Sequence, residues 1–145
     1  MLPRLIKNTV EMIQAISPDY KIQFVNKDVS TVFADKGRIE QILINLLTNA
    51  VKYSLRNKNI KITTKKGRKE VIIKVQDWGS GIEEQHIDKI FERFYRTASA
   101  EKNKLPGLGM GLYISHEIVH IHGGKMWVKS KYGKGSSFYF SLPVE

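Results

Sequence analysis

The sequence predicts an α+β fold, a two-layer sandwich in which a mixed, mostly antiparallel sheet carries its helices on one face. Three observations predict it. Segments with apolar residues at helical spacing are separated by pairs of segments in which apolar and polar residues alternate by twos, the pattern of helices laid on antiparallel pairs. The 145 residues, 41% of them hydrophobic, suffice for one domain with a sizeable core and fall short of two ordinary ones. Finally, no internal repeat, low-complexity segment or linker interrupts the chain, so residues 1–145 are expected to form a single domain.

The elements follow in order. Leu2, Leu5, Ile6, Thr9, Val10 and Ile13 recur at helical spacing, and Ser17-Pro18 closes that helix because proline cannot continue it. YKIQFVN and STVFA read as short strands. From Lys36 to Ser54 the pattern is helical, with Ile39, Leu43, Leu46, Leu47 and Ala50 on one stripe and Asp35 available as the cap. NIKITTKKG and KEVIIKVQD read as a hairpin around Gly67. After the turn DWGSGI comes a short helical piece, IDKIFERF, and then a polar loop, RTASAEKNKLPG. The glycine cluster GLGMG opens a helix that runs through Ile121, with Leu112, Ile118, Val119 and Ile121 available for the core, and Gly123 and Gly124 end it. KMWVKSK and SSFYFSLP close the chain as two strands around Gly133 and Gly135.

Composition excludes several classes. With no cysteine there are no disulfides and no thiolate metal sites. No apolar run approaches a membrane span, and MLPRLIKNTVEMIQAIS carries charges where a signal peptide would have a continuous apolar core. The formal charge of +10 suggests an anionic partner without choosing among nucleotide, nucleic acid, acidic protein and lipid headgroup. The lysines crowd into KNIKITTKKGRK and KMWVKSKYGK, which alternate with apolar residues as outward strand faces do.

Several short motifs have candidate chemistry, each with a plainer reading beside it. HEIVH, beginning at His116, spells the H-E-x-x-H of zinc hydrolases, although five letters on a solvated helix face need a confirming context. In ILINLLTNAVKYS, Gln41, Asn45, Asn49 and Lys52 share the face opposite the apolar stripe, with Tyr53 at its margin. Neutral amide oxygens can ligate a hard cation and Lys52 can meet a phosphate. An ordinary amphipathic helix would also look this way. In EVIIKVQDWGSGI, Val71, Ile73, Val75 and Asp77 fall on one face by period two, so a carboxylate ends a core-facing row. A buried acid needs a donor, which a ligand's amino group can supply, and Gly79 and Gly81 allow backbone to approach that ligand. The plainer reading is a turn-forming Asp-x-Gly. GLGMGL sets Gly107, Gly109 and Gly111 at a helix mouth, where bare amides bind phosphates. FERFYR places Arg93 and Arg96 beside Phe91, Phe94 and Tyr95, either as cations able to close over phosphates or as surface charge on a helix with aromatic core contacts.

Taken together and in order, NLLTNAVKYS, DWGSGI, FERFYR, GLGMGL and GKGSSFYFSLP resemble the N, G1, F, G2 and G3 boxes of the ATP-binding catalytic domain of bacterial sensor histidine kinases, from about Asp35 to Pro143. The resemblance implies the Bergerat-type fold shared with DNA gyrase, heat-shock chaperones and mismatch-repair ATPases, with ATP held under a flexible lid at about residues 97–108. It gives Asn49, and less surely Asn45, to Mg²⁺ and phosphate. Lys52 becomes a phosphate contact and Tyr53 a ribose or base neighbour. Asp77 becomes the acceptor of the adenine amino group, with Gly79, Gly81 and Ile82 beside it. Phe91, Leu108 and Leu112 join the nucleotide-binding set, and Arg96, more surely than Arg93, is the lid-side phosphate contact. Gly107, Gly109 and Gly111 form the phosphate-cradling turn, and Ser136 supports the adenine site.

Gyrase-like relatives place a glutamate base where this chain has Asn45, and an amide cannot serve as a strong general base. The resemblance therefore implies transfer of the γ-phosphoryl group to a histidine, with Asn45, Lys52 and Arg96 as the catalytic set. His86, His116, His120 and His122 lie within or after the boxes, so the acceptor is expected on a separate dimerisation domain, with a response-regulator receiver domain downstream. A monomeric isolated domain, a homodimeric parent, a cytoplasmic location with the parent possibly held at the inner membrane, and no nucleic-acid partner are the further expectations. A related ATPase or a nucleotide-binding interaction module without kinase activity is the alternative. In this context HEIVH lies on the back of a helix whose N-terminus faces phosphate.

Overall fold

The computed structural model describes residues 2–27, 32, 34–93, 95 and 110–144. Its elements are α1 (Leu2–Ile16), β1 (Lys21–Lys27), α2 (Lys36–Tyr53), β2 (Asn59–Lys66), β3 (Glu70–Asp77), α3 (Glu84–Ile87), α4 (Gly111–Ile121), β4 (Met126–Lys131) and β5 (Gly135–Pro143). The strands form one sheet in the order β1-β2-β3-β5-β4. β1 and β2 run parallel and the other pairs antiparallel. A parallel pair needs a long crossover, and α2 supplies it.

Strand register turns the period-two pattern into rows across the sheet. Phe24, Ile62, Val75, Phe138 and Val128 form one row, and Asn26, Thr64, Ile73, Phe140 and Met126 the next. Against this face lie Leu5, Ile6 and Ile13 of α1, Ile39 to Ala50 of α2, and Ile118 and Val119 of α4, all in one core. The alternate strand positions face the other way and carry the lysines. There Trp127 stacks on Tyr139 with centroids 5.2 Å apart, and the Lys74 and Lys129 ammonium groups stand 5.8 and 5.6 Å from the Tyr139 ring.

Local chemistry sets the helix ends. Asp35 caps α2, its Oδ1 accepting from Arg38 N at 3.2 Å. At the other end the Tyr20 hydroxyl reaches the carbonyls of Val51 and Ser54, 2.9 Å each, and so ties the last turn of α2 to the start of β1. His122 closes α4: Nδ1 donates to Ile118 O at 2.8 Å, and Nε2 accepts from Asp35 N at 3.2 Å.

Three expectations change. The helical piece spans Glu84–Ile87 rather than residues 87–94, and the chain then runs in hydrogen-bonded turns such as Ile90 N to His86 O at 3.1 Å. Packing decides this, because Ile90 is buried in the core and Phe91 meets the Phe138 ring edge-on at 6.4 Å. Of STVFA, Val32 makes an isolated bridge to Val144, and residues 30, 31 and 33 lie outside the described part. Ile121 is 79% exposed. At about 100° per residue, Leu112, Ser115, Ile118 and Val119 share one arc of α4 and Ile121 falls about 120° from its centre.

Phe140, fully buried on the inner sheet face, should cost about 3–5 kcal/mol when cut to alanine. Ile121→Ala should stay within about 0.5 kcal/mol. Urea denaturation of the two variants checks the contrast.

Candidate functional site

The third row of the inner sheet face is different. Ile22 and Ile60 continue the apolar pattern, and then Asp77, Ser136 and Ser130 follow from β3, β5 and β4. The core therefore ends in a polar row. Asp77 is 4% exposed. Its Oδ1 accepts from Gly79 N at 2.9 Å, and the backbone N–H of Ser136 donates to it as well. Burial pushes this carboxyl above its ordinary value of 3.8, and those two donors hold it back only in part. Ser54, fully buried, sets its hydroxyl toward the same carboxyl without reaching hydrogen-bond geometry. Its Oγ is left without a partner among the described residues.

Close backbone packing surrounds the acid. Ser80 N donates to Tyr53 O at 3.2 Å and Gly133 N to Ser80 O at 2.6 Å. A Cβ on Gly79 would lie 2.2 Å from Tyr53 O, so only glycine fits there. Gly81 combines a φ of 72° with equally close contact to Lys131 O. Thus the end of α2, the turn after β3 and the β4–β5 hairpin are locked together. Ser130 completes the frame: its Oγ accepts from Ile82 N at 2.8 Å and lies 2.8 Å from Ser136 Oγ.

Between these elements opens a cleft that spans ≈ 500 Å³ when the open solvent of its mouth is counted. It brings together Asn49, Tyr53, Asp77, Gly81, Ile82, Leu112 and Ser136 of the sequence-derived set. The periodicity missed Ser80, Ile90 and Phe138, which also line it, and Ser54 and Ser130 behind it. Extending the β4 row two residues past Val128 would have found Ser130.

The other candidates are placed differently. Lys52 and Gly79 line a neighbouring cleft that shares Tyr53 and Ser80 with the first. Asn45 bridges helices: its Nδ2 donates to Gly111 O at 3.3 Å and to Ser115 Oγ at 3.0 Å, so its amide hydrogens hold the first turn of α4. Phe91 supports the cleft from behind through Phe138, and Arg93 stands exposed on the turn beyond it. Arg96, Gly107, Leu108, Gly109 and the expected lid at 97–108 lie outside the described residues. In HEIVH, the His116 ring packs tilted against Phe91 with centroids 5.2 Å apart, and His116 lines a recess with His120. Among the described residues no cluster of three His, Cys, Asp or Glu side chains forms there.

An apolar slot ending in a buried carboxyl, with the Asn49 amide at its side, can accept a flat polar heterocycle. Residues 34–145 match the family described as histidine kinase-, DNA gyrase B- and HSP90-like ATPase, and the chain belongs to it. Within that family its relatives are histidine kinases. Sensor protein kinase WalK of Staphylococcus epidermidis is 40% identical over 119 residues, 79% of this chain and 20% of that protein. The catalytic domain of histidine kinase ThkA superposes with a TM-score of 0.84 at 32% identity, covering 98% of this chain and 93% of that one. Full-length ShkA in complex with AMPPNP gives 0.86 at 27%, covering 99% and 30%. The chain thus corresponds to the ATP-binding catalytic part of a sensor histidine kinase and spans about a fifth of the length of the WalK proteins.

The raised Asp77 pKa has a sign that can be measured. A carboxyl that binds its proton more tightly when folded contributes stability below its unfolded pKa and loses it as pH rises through the folded one. The stability of the wild type relative to Asp77→Asn should therefore fall with rising pH from near 3.8 up to the raised value, and then level off. Urea denaturation of both proteins between about pH 3 and 8 tests this.

Proposed function

We propose that this chain binds Mg²⁺·ATP in the Asp77 cleft and transfers the γ-phosphoryl group to a histidine on a separate dimerisation and phosphoacceptor domain. The observation that carries the reading is the buried Asp77 carboxyl and, beside it, the Ser54 hydroxyl that has no partner among the described residues. Both are satisfied when an adenine amino group, together with a bridging water, enters the slot. Ile82, Ile90, Leu112 and Phe138 supply the apolar walls for the ring, and Tyr53 stands where ribose or base edge would pass. Asn49 presents a neutral amide to the cleft, a donor type that suits a hard cation sharing its shell with phosphate oxygens and water. When bound, the Mg²⁺ ion neutralises phosphate charge.

Asn45 orients the start of α4, whose first-turn amides, beginning with Gly111, favour an anion. Gly107, Leu108 and Gly109 precede that turn in sequence and complete it in this reading. Lys52, which lines the adjoining cleft, has a side chain long enough to reach a phosphate, and Arg96, with Arg93 as the second candidate, closes from the lid side. No residue of the cleft replaces the glutamate base of gyrase-like relatives. Water is left unactivated, and ATP persists until a better nucleophile is presented. The chain's contribution to transfer is then positioning and charge neutralisation.

The histidine-bearing domain and a downstream receiver domain are the proposed partners, with a monomeric isolated domain, a homodimeric parent and a cytoplasmic site of action. Among the described residues no helix is long and apolar enough to cross a membrane.

Calorimetry should show binding of Mg²⁺·ATP by the isolated chain, weakened at least about tenfold by Asp77→Asn, because a hydrogen bond to a buried charged acceptor is worth roughly 1.5–3 kcal/mol. Unchanged affinity in that variant would remove the adenine assignment. With labelled ATP and a supplied helical histidine domain, acid-labile label should appear on that domain; slow release of phosphate alone would leave an ATPase and no kinase.

A further inference from the structure

Leu55, Trp78 and Tyr132 come from three different loops: the one after α2, the turn after β3 and the β4–β5 hairpin. Each is a large hydrophobic side chain left in water, 59%, 39% and 59% exposed. Singly they would be ordinary surface residues. All three, however, line the second cleft, which encloses ≈ 1040 Å³ with its mouth.

The frame beneath them is the one already locked by Ser80 N to Tyr53 O, Gly133 N to Ser80 O and the close seat of Gly79. Apolar side chains on a rigid backbone are a preformed surface, and a ligand does not have to order them. The charge of the cleft is one-sided. Lys52 and Arg56 line it and no Asp or Glu does, and exposed Arg56 has no acidic partner among the described residues.

We propose that this cleft is a docking site for an acidic polypeptide segment with an apolar anchor side chain. The anchor covers Leu55, Trp78 and Tyr132, and a neighbouring carboxylate pairs with Arg56 and, at the inner edge, Lys52. Both features are needed to choose the occupant. A nucleic acid would use the cations and could stack a base on Trp78 or Tyr132 but would leave the aliphatic Leu55 without an anchor, whereas a purely apolar ligand would desolvate Arg56 without pairing it. Tryptophan, tyrosine and arginine are also the side chains that most often dominate protein interfaces. The cleft stands beside the nucleotide site and shares Tyr53 and Ser80 with it, but docking does not depend on the nucleotide reading.

The test is therefore run without nucleotide. A phage library of random twelve-residue peptides is selected on the chain and counter-screened on the double variant Leu55→Asp, Arg56→Glu. Both positions are exposed, and an unchanged thermal midpoint confirms that the variant folds. Enriched clones should pair Asp or Glu with Leu, Phe or Trp, and a synthetic peptide of the leading clone should bind the wild type at least about tenfold tighter than the double variant. In a Trp127→Phe background, which leaves Trp78 as the chain's sole tryptophan, a version of that peptide with Phe in place of any Trp should shift the emission to the blue. No enrichment, clones without the acidic and apolar pairing, or equal binding to the double variant would overturn the proposal. So would self-association of the wild type abolished by the same variant, which would assign the cleft to a second copy of the chain.

Discussion

A carboxyl at the end of an apolar strand row stays buried only if backbone is turned inward to donate to it. In this chain Asp77 sets that requirement, and the N–H groups of Gly79 and Ser136 meet it. To bring them there, the turn after β3 must double back against the last turn of α2 while β5 runs alongside. The contacts are so close that side chains are excluded at Gly79 and Gly81. Burial holds the carboxyl above its ordinary value, and Ser54 Oγ beside it has no partner among the described residues. A buried carboxyl and an unsatisfied hydroxyl at the floor of an apolar slot suit a ligand whose polar atoms can meet both. The same locking of three loops creates the neighbouring cleft, so both clefts follow from one constraint.

The helices add a second connection. The amide hydrogens of Asn45 are spent on Gly111 and Ser115. The residue joins α2 to the mouth of α4 and leaves no proton acceptor of useful strength. The same contact holds α4 in register with α2, the two helices to which the proposed function gives the phosphate and metal contacts. HEIVH finds its place on that same helix, with His116 packed near Phe91 and the buried residues Ile118 and Val119 facing the sheet.

Much of this was legible in the sequence because it rests on local periodicity. The α2 stripe, the Asp35 cap, the β2–β3 hairpin and the inward aim of Asp77 all follow from spacing within one element. What was not legible depends on pairing between elements. Ser130 enters the site only because β4 pairs with β5 in a register that sets it opposite Ser136, and Ile90 and Phe138 reach the cleft through packing. Lys52 shares a helix face with Asn49, yet it lines the adjoining cleft, because the helix ends there and the chain turns. The turns at 88–93 and the outward Ile121 show tertiary packing overriding a pattern read one segment at a time.

The most direct measurement is the ¹³C titration of the Asp77 side-chain carboxyl by NMR, alone and saturated with Mg²⁺·ATP. In the free chain the midpoint should lie above the ordinary 3.8. Bound nucleotide should draw it down, because an amino group donating to the carboxyl favours its ionised form. A midpoint at the ordinary value that nucleotide leaves unmoved would contradict both the buried, donor-short acid and its place in the ATP site.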